Sequence, residues 1–276
     1  MGENYQLSTV SRPQVKVTMN SSARPVIAGT ELVFGINAVK EVILSANRTI
    51  EVLHCDEHAG KRVVDLENLA RQQGIVIKRL PKAAMDRLAD HERHQGVILK
   101  VSPAVYCPLK ELFVSEGTDR GKLETIIALD GITDPQNLGS ILRTAAAAGV
   151  SGVIIPERRA AGITPTVARI SSGGLEYLKI CRVKNLVNAL QEGRRQGFWI
   201  AGTVASDELS IYQADLCRRL VVVIGSEDKG IRPLVLKNCD FLINIPLYSP
   251  LDSLNVATAT AVVLFEIKRQ QLLAED

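Results

Sequence analysis

The sequence predicts an α/β protein whose main sheet is parallel and is preceded by a smaller α/β domain. Hydrophobic residues make up 46% of the chain but aromatic residues only 4%, so the apolar mass is aliphatic, as suits buried parallel strands. From residue 124 onward, short runs that are apolar throughout alternate with helical patterns. The length of 276 residues agrees with two domains, at roughly 150 residues each.

The N-terminal part divides into a tail and a small domain. Residues 1–30 are predicted to be a disordered tail, because they are rich in Ser, Thr and Pro and lack an apolar period. An organellar transit peptide is the alternative for this segment, although it has no clear amphipathic helix. Residues 31–102 form the predicted small domain, in which Asp65 is expected to cap the second helix. The pattern indicates helices at 36–46, 65–73 and 82–89, and strands at 49–54, 75–77 and 96–101.

The remainder of the chain is predicted to be a linker and a larger domain. Residues 103–121 contain prolines and glycines and link the two domains, with a helical turn at 109–114. The larger domain, 122–276, is expected to hold the parallel sheet. Its strands are predicted at 126–130, 152–155, 179–183, 198–204, 220–225 and 241–245, and a long helix at 253–271.

Composition excludes several classes of protein. No apolar run approaches ~18 residues, so no membrane-spanning helix is expected. The five cysteines are far apart and form no CxxC pair, which argues against a disulfide framework or zinc site and favours a reducing compartment. The net charge of +3 permits a polyanionic partner without requiring one.

Three polar segments follow predicted strands and are expected to meet at one edge of the sheet. The first opens a helix that bears Asn137 and Arg143, the second is GSEDKG at 225–230, and the third is IPLYSPLDSLNV at 245–256. Each also has a simpler interpretation, as a helix cap or a β–α turn. A GxGxxG motif is absent, which argues against a nicotinamide-dependent oxidoreductase.

The order and spacing of these segments resemble the three motifs of the SpoU (TrmH) family of RNA ribose 2′-O-methyltransferases, in the SPOUT superfamily. The resemblance covers about residues 124–276. Residues 31–102, with VFGINAV at 33–39 and HQGV at 94–97, are similar to the substrate-binding domain of the subgroup that methylates guanosine in bacterial 23S rRNA. The resemblance implies a SPOUT-type sheet with a C-terminal trefoil knot, S-adenosyl-L-methionine as cofactor, and a homodimer.

Roles for individual residues follow from their positions in the motifs. The polar catalytic set implied by the resemblance is Asn137, Arg143, Glu227, Ser253 and Asn255. The implied cofactor pocket consists of Thr203, Gly225, Gly230, Ile245, Leu247 and Leu254. No metal is required. Because the pKa of an arginine exceeds ~12, Arg143 is expected to stabilise the developing alkoxide or hold a phosphate, and the proton acceptor stays unassigned.

The third motif departs from the family pattern. The family usually has Met, Gly and Ser where this chain has Leu247, Ser249 and Ala257, and Pro250 adds a further constraint. A glycine-to-serine change matters where the backbone needs positive φ or must touch a ligand. The alternative function is therefore a non-catalytic RNA-binding member of the same fold.

The expected partners are RNA, most readily 23S-type rRNA with tRNA as the alternative, and a second copy of the chain. Arg158 and Arg159 follow a strand and are predicted to bind RNA phosphates, although solvated side chains are the simpler interpretation. The dimer interface is predicted to be an apolar stripe on the last helix. The alternative interpretation is that this stripe packs into the core of its own chain. The stripe consists of Val256, Ala259, Val263 and Ile267. A cytoplasmic location follows from the cysteines, with an organelle as the alternative.

The histidines are weaker candidates. His54 and His58 have the spacing of a metal-binding pair on a helix but follow a strand and lack a third ligand, which favours a surface loop. His91 and His94 lie beside Arg93 and are predicted to occupy a solvated turn, with RNA contact as the alternative.

Overall fold

The computed structural model describes residues 29–90, 92–113, 123–206, 209–250 and 252–275. The predicted tail at 1–30 lies outside these ranges except for its last two residues. His91 and positions 114–121 of the predicted linker also lie outside them.

The small domain is a mixed sheet with helices on both faces. Its elements are β1 (Glu31–Phe34), α1 (Ile36–Ser45), β2 (Ile50–Asp56), α2 (Lys61–Gln72), β3 (Ile77–Leu80), α3 (Lys82–Leu88) and β4 (Val97–Val101). The strand order is β1-β4-β2-β3, with β3 parallel to β2 and β4 antiparallel to both of its neighbours. Val39 of α1 and Leu66 of α2 pack with Leu53 on one face. Met85 of α3 packs with Ile98 on the other.

Two predicted boundaries in this domain are wrong. The N-cap of α2 is Gly60, so Asp65 lies inside the helix and does not cap it. At the other end of α2, the N–H of Ile75 donates to the carbonyl of Ala70 at 3.0 Å, and Gly74 has a φ of +71°. These residues close the helix through a left-handed C-terminal turn, so the next strand starts at residue 77 and not at 75.

The larger domain is built on a parallel sheet. Its elements are α4 (Leu109–Phe113), β5 (Thr125–Asp130), α5 (Pro135–Ala147), β6 (Gly152–Pro156), α6 (Pro165–Ile170), the 3-10 turn Gly174–Tyr177, β7 (Lys179–Val183), α7 (Leu186–Arg195), β8 (Trp199–Thr203), β9 (Leu209–Ser210), β10 (Leu220–Gly225), α8 (Pro233–Leu236), β11 (Phe241–Asn244) and α9 (Val256–Glu275). The strand order is β7-β6-β5-β10-β8-β11-β9, and every pairing is parallel. The predicted parallel α/β architecture is thereby confirmed.

The central strands explain why this sheet is parallel and covered on both sides. Every residue of β5, β6 and β10 is buried. Along β5, Ile127 and Leu129 enter the core on one face, and Ile126 and Ala128 enter the core on the other. Strands of this kind cannot leave either face to water, so helices must cover both.

The C-terminal helix differs from its prediction in two respects. It begins at Val256, three residues later than expected, and continues to Glu275. Val256, Val263 and Ile267 of the predicted dimer stripe are buried in the core of their own chain, so the stripe is not a free surface. The core interpretation of this stripe is therefore correct.

The segment between the two domains contributes side chains to the hydrophobic core of the larger domain. Leu112 and Phe113 of α4 are buried, and the Phe113 ring meets that of Phe198 edge-on at 5.4 Å. No helix in the described part of the chain is long and apolar enough to cross a membrane.

Candidate functional site

The site lies where parallel strands β5 and β10 end side by side. These two strands pair in register from Leu220 with Thr125 to Gly225 with Asp130. The segments that follow them therefore leave the same edge of the sheet next to each other. Asp130 fixes this edge, because its carboxylate accepts from the backbone N–H of Arg232 at 2.8 Å and from its Nε at 2.7 Å.

Helix α5 presents Asn137 to this edge. The cap of the helix is Asp134, whose carboxylate accepts from the N–H groups of Gln136 at 3.0 Å and Asn137 at 3.3 Å. Pro135 follows at the first helical position, where its missing N–H costs nothing. Asn137 is thus the third residue of the helix and not its cap, which leaves its side-chain amide free for other partners. The Asp-Pro pair in the sequence is the signal that predicts this cap.

The turn after β10 presents Glu227. It closes on itself, because the N–H of Ser226 donates to the carbonyl of Gly230 at 3.1 Å and the N–H of Gly230 donates back at 2.9 Å. Gly230 has a φ of +60°. A Cβ on Gly225 would lie 2.2 Å from the carbonyl carbon of Gly230. Gly225 is therefore required by the close approach of its own turn, in addition to any contact with a ligand.

The three motifs converge on one polar cluster, formed by Asn137, Glu227 and Asn255. The Nδ2 of Asn255 donates to Oδ1 of Asn137 at 3.0 Å and lies 3.5 Å from Oε1 of Glu227. The Nδ2 of Asn137 lies 3.4 Å from Oε2 of Glu227. These three residues stand 90 and 28 positions apart along the chain. Their meeting is therefore a product of the fold.

Asn255 serves a second purpose. Its Oδ1 accepts from the N–H groups of Ala257 at 3.0 Å and Thr258 at 3.4 Å, which caps α9. The capping interpretation of this residue and its place in the cluster therefore both hold, because the amide oxygen and the amide nitrogen point to different partners.

A cavity of about 400 Å³ opens beside the cluster. Its lining includes Asn137, Glu227, Arg158, Arg159 and Lys229. Among the residues that the structure describes, these three cations have no ion-pair or hydrogen-bond partner on their side chains. Arg159 has a φ of +59°, a costly conformation for a residue with a side chain. The cavity thus has unpaired cations on one part of its lining and carboxylates, including Asp134 and Asp228, on another.

The structure does not bring the remaining predicted catalytic residues to this cluster. Arg143 lies six positions beyond Asn137, which turns it by about 120° around the helix relative to Asn137. It is exposed, does not line the cavity, and has no hydrogen-bond partner among the described residues. Ser253 is also exposed and outside the lining.

The predicted cofactor residues lie along the neighbouring strands. Strands β10, β8 and β11 are adjacent and parallel, so the segments after them share one edge. Thr203, at the end of β8, donates its hydroxyl to the carbonyl of Val223 at 3.0 Å. Ile245 and Leu254 are half-buried, and Leu247 is exposed. Of the six predicted residues, Gly230 lines the cavity beside the cluster.

The histidines that the sequence analysis considered have different surroundings in the structure. His94 is buried, with Nε2 2.9 Å from Asp86 and Nδ1 accepting from the N–H of Gly96 at 3.1 Å, so it is structural and not solvated. Burial, with Lys78 and Lys100 nearby, lowers the pKa of His54. Within the described ranges, no group of three or more His, Cys, Asp or Glu side chains is placed to hold a metal ion.

Comparison with known proteins agrees with this geometry. The model of the SpoU rRNA Methylase family matches residues 124–265, and that of the RNA 2′-O ribose methyltransferase substrate-binding domain matches residues 32–107. A Staphylococcus saprophyticus protein assigned to the TrmH family of tRNA/rRNA methyltransferases is 38% identical over 240 residues, 87% of this chain and 96% of the relative.

Two solved structures share the fold. The SpoU methyltransferase AviRb from Streptomyces viridochromogenes, in complex with AdoMet, superposes with a TM-score of 0.72 at 24% identity, covering 89% of this chain and 92% of that one. An rRNA methyltransferase from Sinorhizobium meliloti superposes with a TM-score of 0.70 at 25% identity, covering 87% of each chain. The motif cluster, the two family matches and the full-length relative agree, and the chain belongs to the SpoU (TrmH) family of RNA methyltransferases.

Proposed function

We propose that the protein transfers a methyl group from S-adenosylmethionine to a ribose 2′-hydroxyl of structured RNA, with 23S-type rRNA as the substrate. The observation that carries this proposal is the meeting of Asn137, Glu227 and Asn255 beside a cavity whose mixed lining includes the unpaired cations Arg158, Arg159 and Lys229. Family membership supports the reaction class. The S. meliloti relative acts on rRNA, which favours rRNA over tRNA for this chain.

The residues expected around the cofactor fit it chemically. Next to Ile245 in sequence, Asn244 donates from Nδ2 to the carbonyl of Ser206 at 2.9 Å, while its buried Oδ1 has no hydrogen-bond partner among the described residues. A buried acceptor without a donor suits a ligand that carries N–H groups, such as adenine. Ile245, Leu247 and Leu254 supply an apolar wall. Because the Thr203 hydroxyl is already used, Thr203 is expected to contribute its backbone, as are Gly225 and Gly230.

The chain's own task in this reaction is to orient the ribose. The bound cofactor supplies an already activated methyl group, so alignment and charge stabilisation are what the protein must add. Glu227 is held by the two asparagine amides in one orientation, from which it can accept a hydrogen bond from a ribose hydroxyl. Arg143 lies outside the cluster and the cavity lining, so its proposed role as the cation that stabilises the alkoxide or holds the adjacent phosphate rests on its position in the first motif.

The cationic side of the cavity is proposed to hold RNA phosphates. Arg158, Arg159 and Lys229 line it and lack acidic partners among the described residues. Phosphate contacts of this kind fix the register of a nucleic acid without reading its sequence. They would bring one ribose to the cluster.

A homodimer is part of the proposal, through a face other than the predicted stripe. On α9, Phe265, Leu272 and Leu273 are 52%, 50% and 64% exposed. A second copy that covers these side chains removes apolar surface from water. Light scattering at micromolar concentration is expected to give twice the chain mass, and a monomer would count against the dimer.

The function is tested in two steps. Added S-adenosylmethionine should raise the thermal unfolding midpoint and release or absorb heat in calorimetry, since a ligand of the folded state stabilises it. Labelled methyl groups should then enter unmodified 23S rRNA transcripts, as ribose-methylation mapping will show. No heat at millimolar cofactor would favour the non-catalytic alternative, and labelling of tRNA alone would move the substrate to tRNA.

A further inference from the structure

The small domain is joined to the larger one through a buried arginine. The side chain of Arg48, between α1 and β2, is only 5% exposed. Its Nη1 donates to Oε1 of Glu176 in the 3-10 turn at 3.1 Å, and its Nε donates to the carbonyl of Ser102 at 2.8 Å. Its Nη2 pairs with the carboxylate of Glu31. One guanidinium thus ties the first strand, the end of the small domain and the larger domain together.

The contact also involves the backbone of the turn. The Nδ2 of Asn47 donates to the carbonyl of Glu176 at 2.8 Å. Gly173, just before the turn, has a φ of +88°, and a Cβ placed there would lie 2.3 Å from the Cβ of Glu41 in α1. The small domain therefore sits directly on the turn, with no room for a side chain between them.

The opposite side of the same turn touches the helix that carries the first motif. A Cβ on Gly174 would lie 2.9 Å from the Cα of Arg143 and 3.2 Å from the carbonyl of Leu142. The turn is thus held between α1 of the small domain and α5. Movement of the small domain would be transmitted to α5 through backbone contact.

The buried pair is better suited to fixing a geometry than to adding stability. Burial raises the pKa of Glu176 even though the Arg48 guanidinium opposes this shift. Burying two charges is costly, and the cost is recovered only in a well-aligned arrangement. A second interdomain ion pair in the described part of the chain, Arg169 with Glu92, has side chains that are 34% and 40% exposed and so is screened by solvent.

We propose that Arg48 is a positioning residue that fixes the small domain against α5, and so determines which ribose of the bound RNA reaches the reaction site. This inference rests on the proposed function, since it assumes that the small domain holds the RNA. A fixed distance between the RNA-holding domain and the polar cluster determines how far along the RNA the methylated ribose lies from the nucleotides that the small domain holds. Loss of that separation lowers positional accuracy as well as rate.

The test compares full-length wild type with Arg48→Met and Arg48→Lys. With unmodified 23S rRNA transcripts, Arg48→Met is expected to lower methylation at the main position by ~10–100-fold, the scale for a misplaced reactant. Methylation at neighbouring nucleotides should rise relative to the main one. Arg48→Lys, which reaches one carboxylate only, should be intermediate. Cofactor affinity by calorimetry should stay within about twofold of wild type, because none of the partners of Arg48 described above, Glu31, Ser102 and Glu176, is a predicted cofactor residue.

Three further measurements keep the inference testable. Arg71→Met is the matched control, because it removes an arginine–glutamate pair inside the small domain, with Arg71 exposed, and should leave the methylation pattern unchanged. Asn47→Ala removes the interdomain hydrogen bond to the carbonyl of Glu176 and should shift the pattern in the same direction as Arg48→Met even if that variant does not fold. Small-angle X-ray scattering should show a wider range of interdomain distances for the Arg48 variants.

The outcomes separate this inference from the proposed function. Suppose that the Arg48 variants methylate less RNA but still at the single wild-type position, and that their scattering profiles equal that of the wild type. Arg48 is then only structural and the inference is overturned. If the wild type methylates no RNA, the proposed function fails. The scattering profiles then still decide whether Arg48 fixes the domains: a wider range of distances in the Arg48 variants supports this role, and an unchanged range contradicts it.

Discussion

The amide group of Asn255 joins two regions of the protein, because its nitrogen donates to Asn137 at 3.0 Å while its oxygen caps helix α9. Substitution can separate these roles. Asn255→Asp keeps an oxygen for the cap but loses the donor and places a second carboxylate beside Glu227. The unfolding midpoint should fall less than it does with Asn255→Ala, since an acid suits a helix N-terminus and offsets part of its repulsion from Glu227. Methyl transfer should fall by ~10²-fold, the scale for losing one preorganised group.

Asn255→Ala is the companion variant. It removes both functions of the side chain, so it should also cost about 1 kcal/mol of unfolding free energy, as loss of a helix cap does. Thermal unfolding and single-turnover methylation on the same preparations check both variants. Equal destabilisation by Asp and Ala would contradict the assigned cap.

Arg143→Ala is expected to leave the unfolding free energy and the cofactor affinity unchanged. The side chain is exposed and has no hydrogen-bond partner among the described residues, so nothing in the fold depends on it. Single-turnover methylation should fall by ~10²-fold or more if Arg143 stabilises charge at the ribose. Partial recovery with Arg143→Lys would indicate that charge is sufficient, and none would indicate that the planar fork is needed. Near-normal methylation by Arg143→Ala would exclude the residue from the reaction.

Gly225→Ala should destabilise the protein by about 1–3 kcal/mol, the range for overpacking in a filled site. The added Cβ would lie 2.2 Å from the carbonyl carbon of Gly230, and backbone cannot yield as a flexible side chain does. Chemical denaturation measures the loss. Gly60→Ala is the control for added volume, because nothing lies within 4 Å of a Cβ at that position, and its cost is limited to the poorer N-cap that alanine gives α2. Equal stability of both variants would show that the turn at 226–230 can open.

Arg158→Ala and Arg159→Ala should each weaken RNA binding by reducing the number of phosphate contacts. The slope of log affinity against log salt is expected to become shallower by about 0.7–0.9 for each contact removed. Filter binding with 23S rRNA transcripts at several salt concentrations measures the slopes. A drop in affinity with an unchanged slope would mean that these arginines do not neutralise phosphate.

The rate at which each cysteine reacts with a thiol reagent tests how it is packed, because its surroundings change the pKa of its thiol. Burial raises the pKa of the Cys55 thiol to about 12 and that of Cys239 to about 11, whereas a hydrogen bond from Cys181 lowers the pKa of Cys107. Because the thiolate is the nucleophile, a lower pKa gives more reactive species at pH 8. Iodoacetamide should therefore label Cys107 before Cys55 and Cys239 in mass spectrometry. Early labelling of Cys55 would mean that the small domain opens.

The architecture was predictable because the central strands of the larger sheet, β5, β6 and β10, are almost wholly apolar and buried along their whole length. Such runs leave few alternatives to a covered parallel sheet, and the ends of its strands indicate where polar motifs meet. Asn137, Glu227 and Asn255 were predicted to share a site and are found within hydrogen-bond distance.

Other features could not be predicted from local pattern. The start of β3 depends on a left-handed turn at Gly74, and β9 is only two residues long. The apolar stripe on α9 fits a core and an interface equally well, and only the packed fold shows that Val263 and Ile267 are buried. Contacts of Arg48 with Glu176 join positions 128 apart and leave no periodic trace. The trefoil knot stays a prediction.

The double use of Asn255 bears on how this fold would change in evolution. Selection for a folded protein alone would retain a capping residue at position 255, asparagine or aspartate, because α9 depends on this cap. Glu227 is exposed on a turn that its neighbours close without it. A lineage that stopped methylating RNA would therefore keep a capping residue at position 255 and let Glu227 drift. Among descendants of this fold, the glutamate is the more informative marker of a working enzyme.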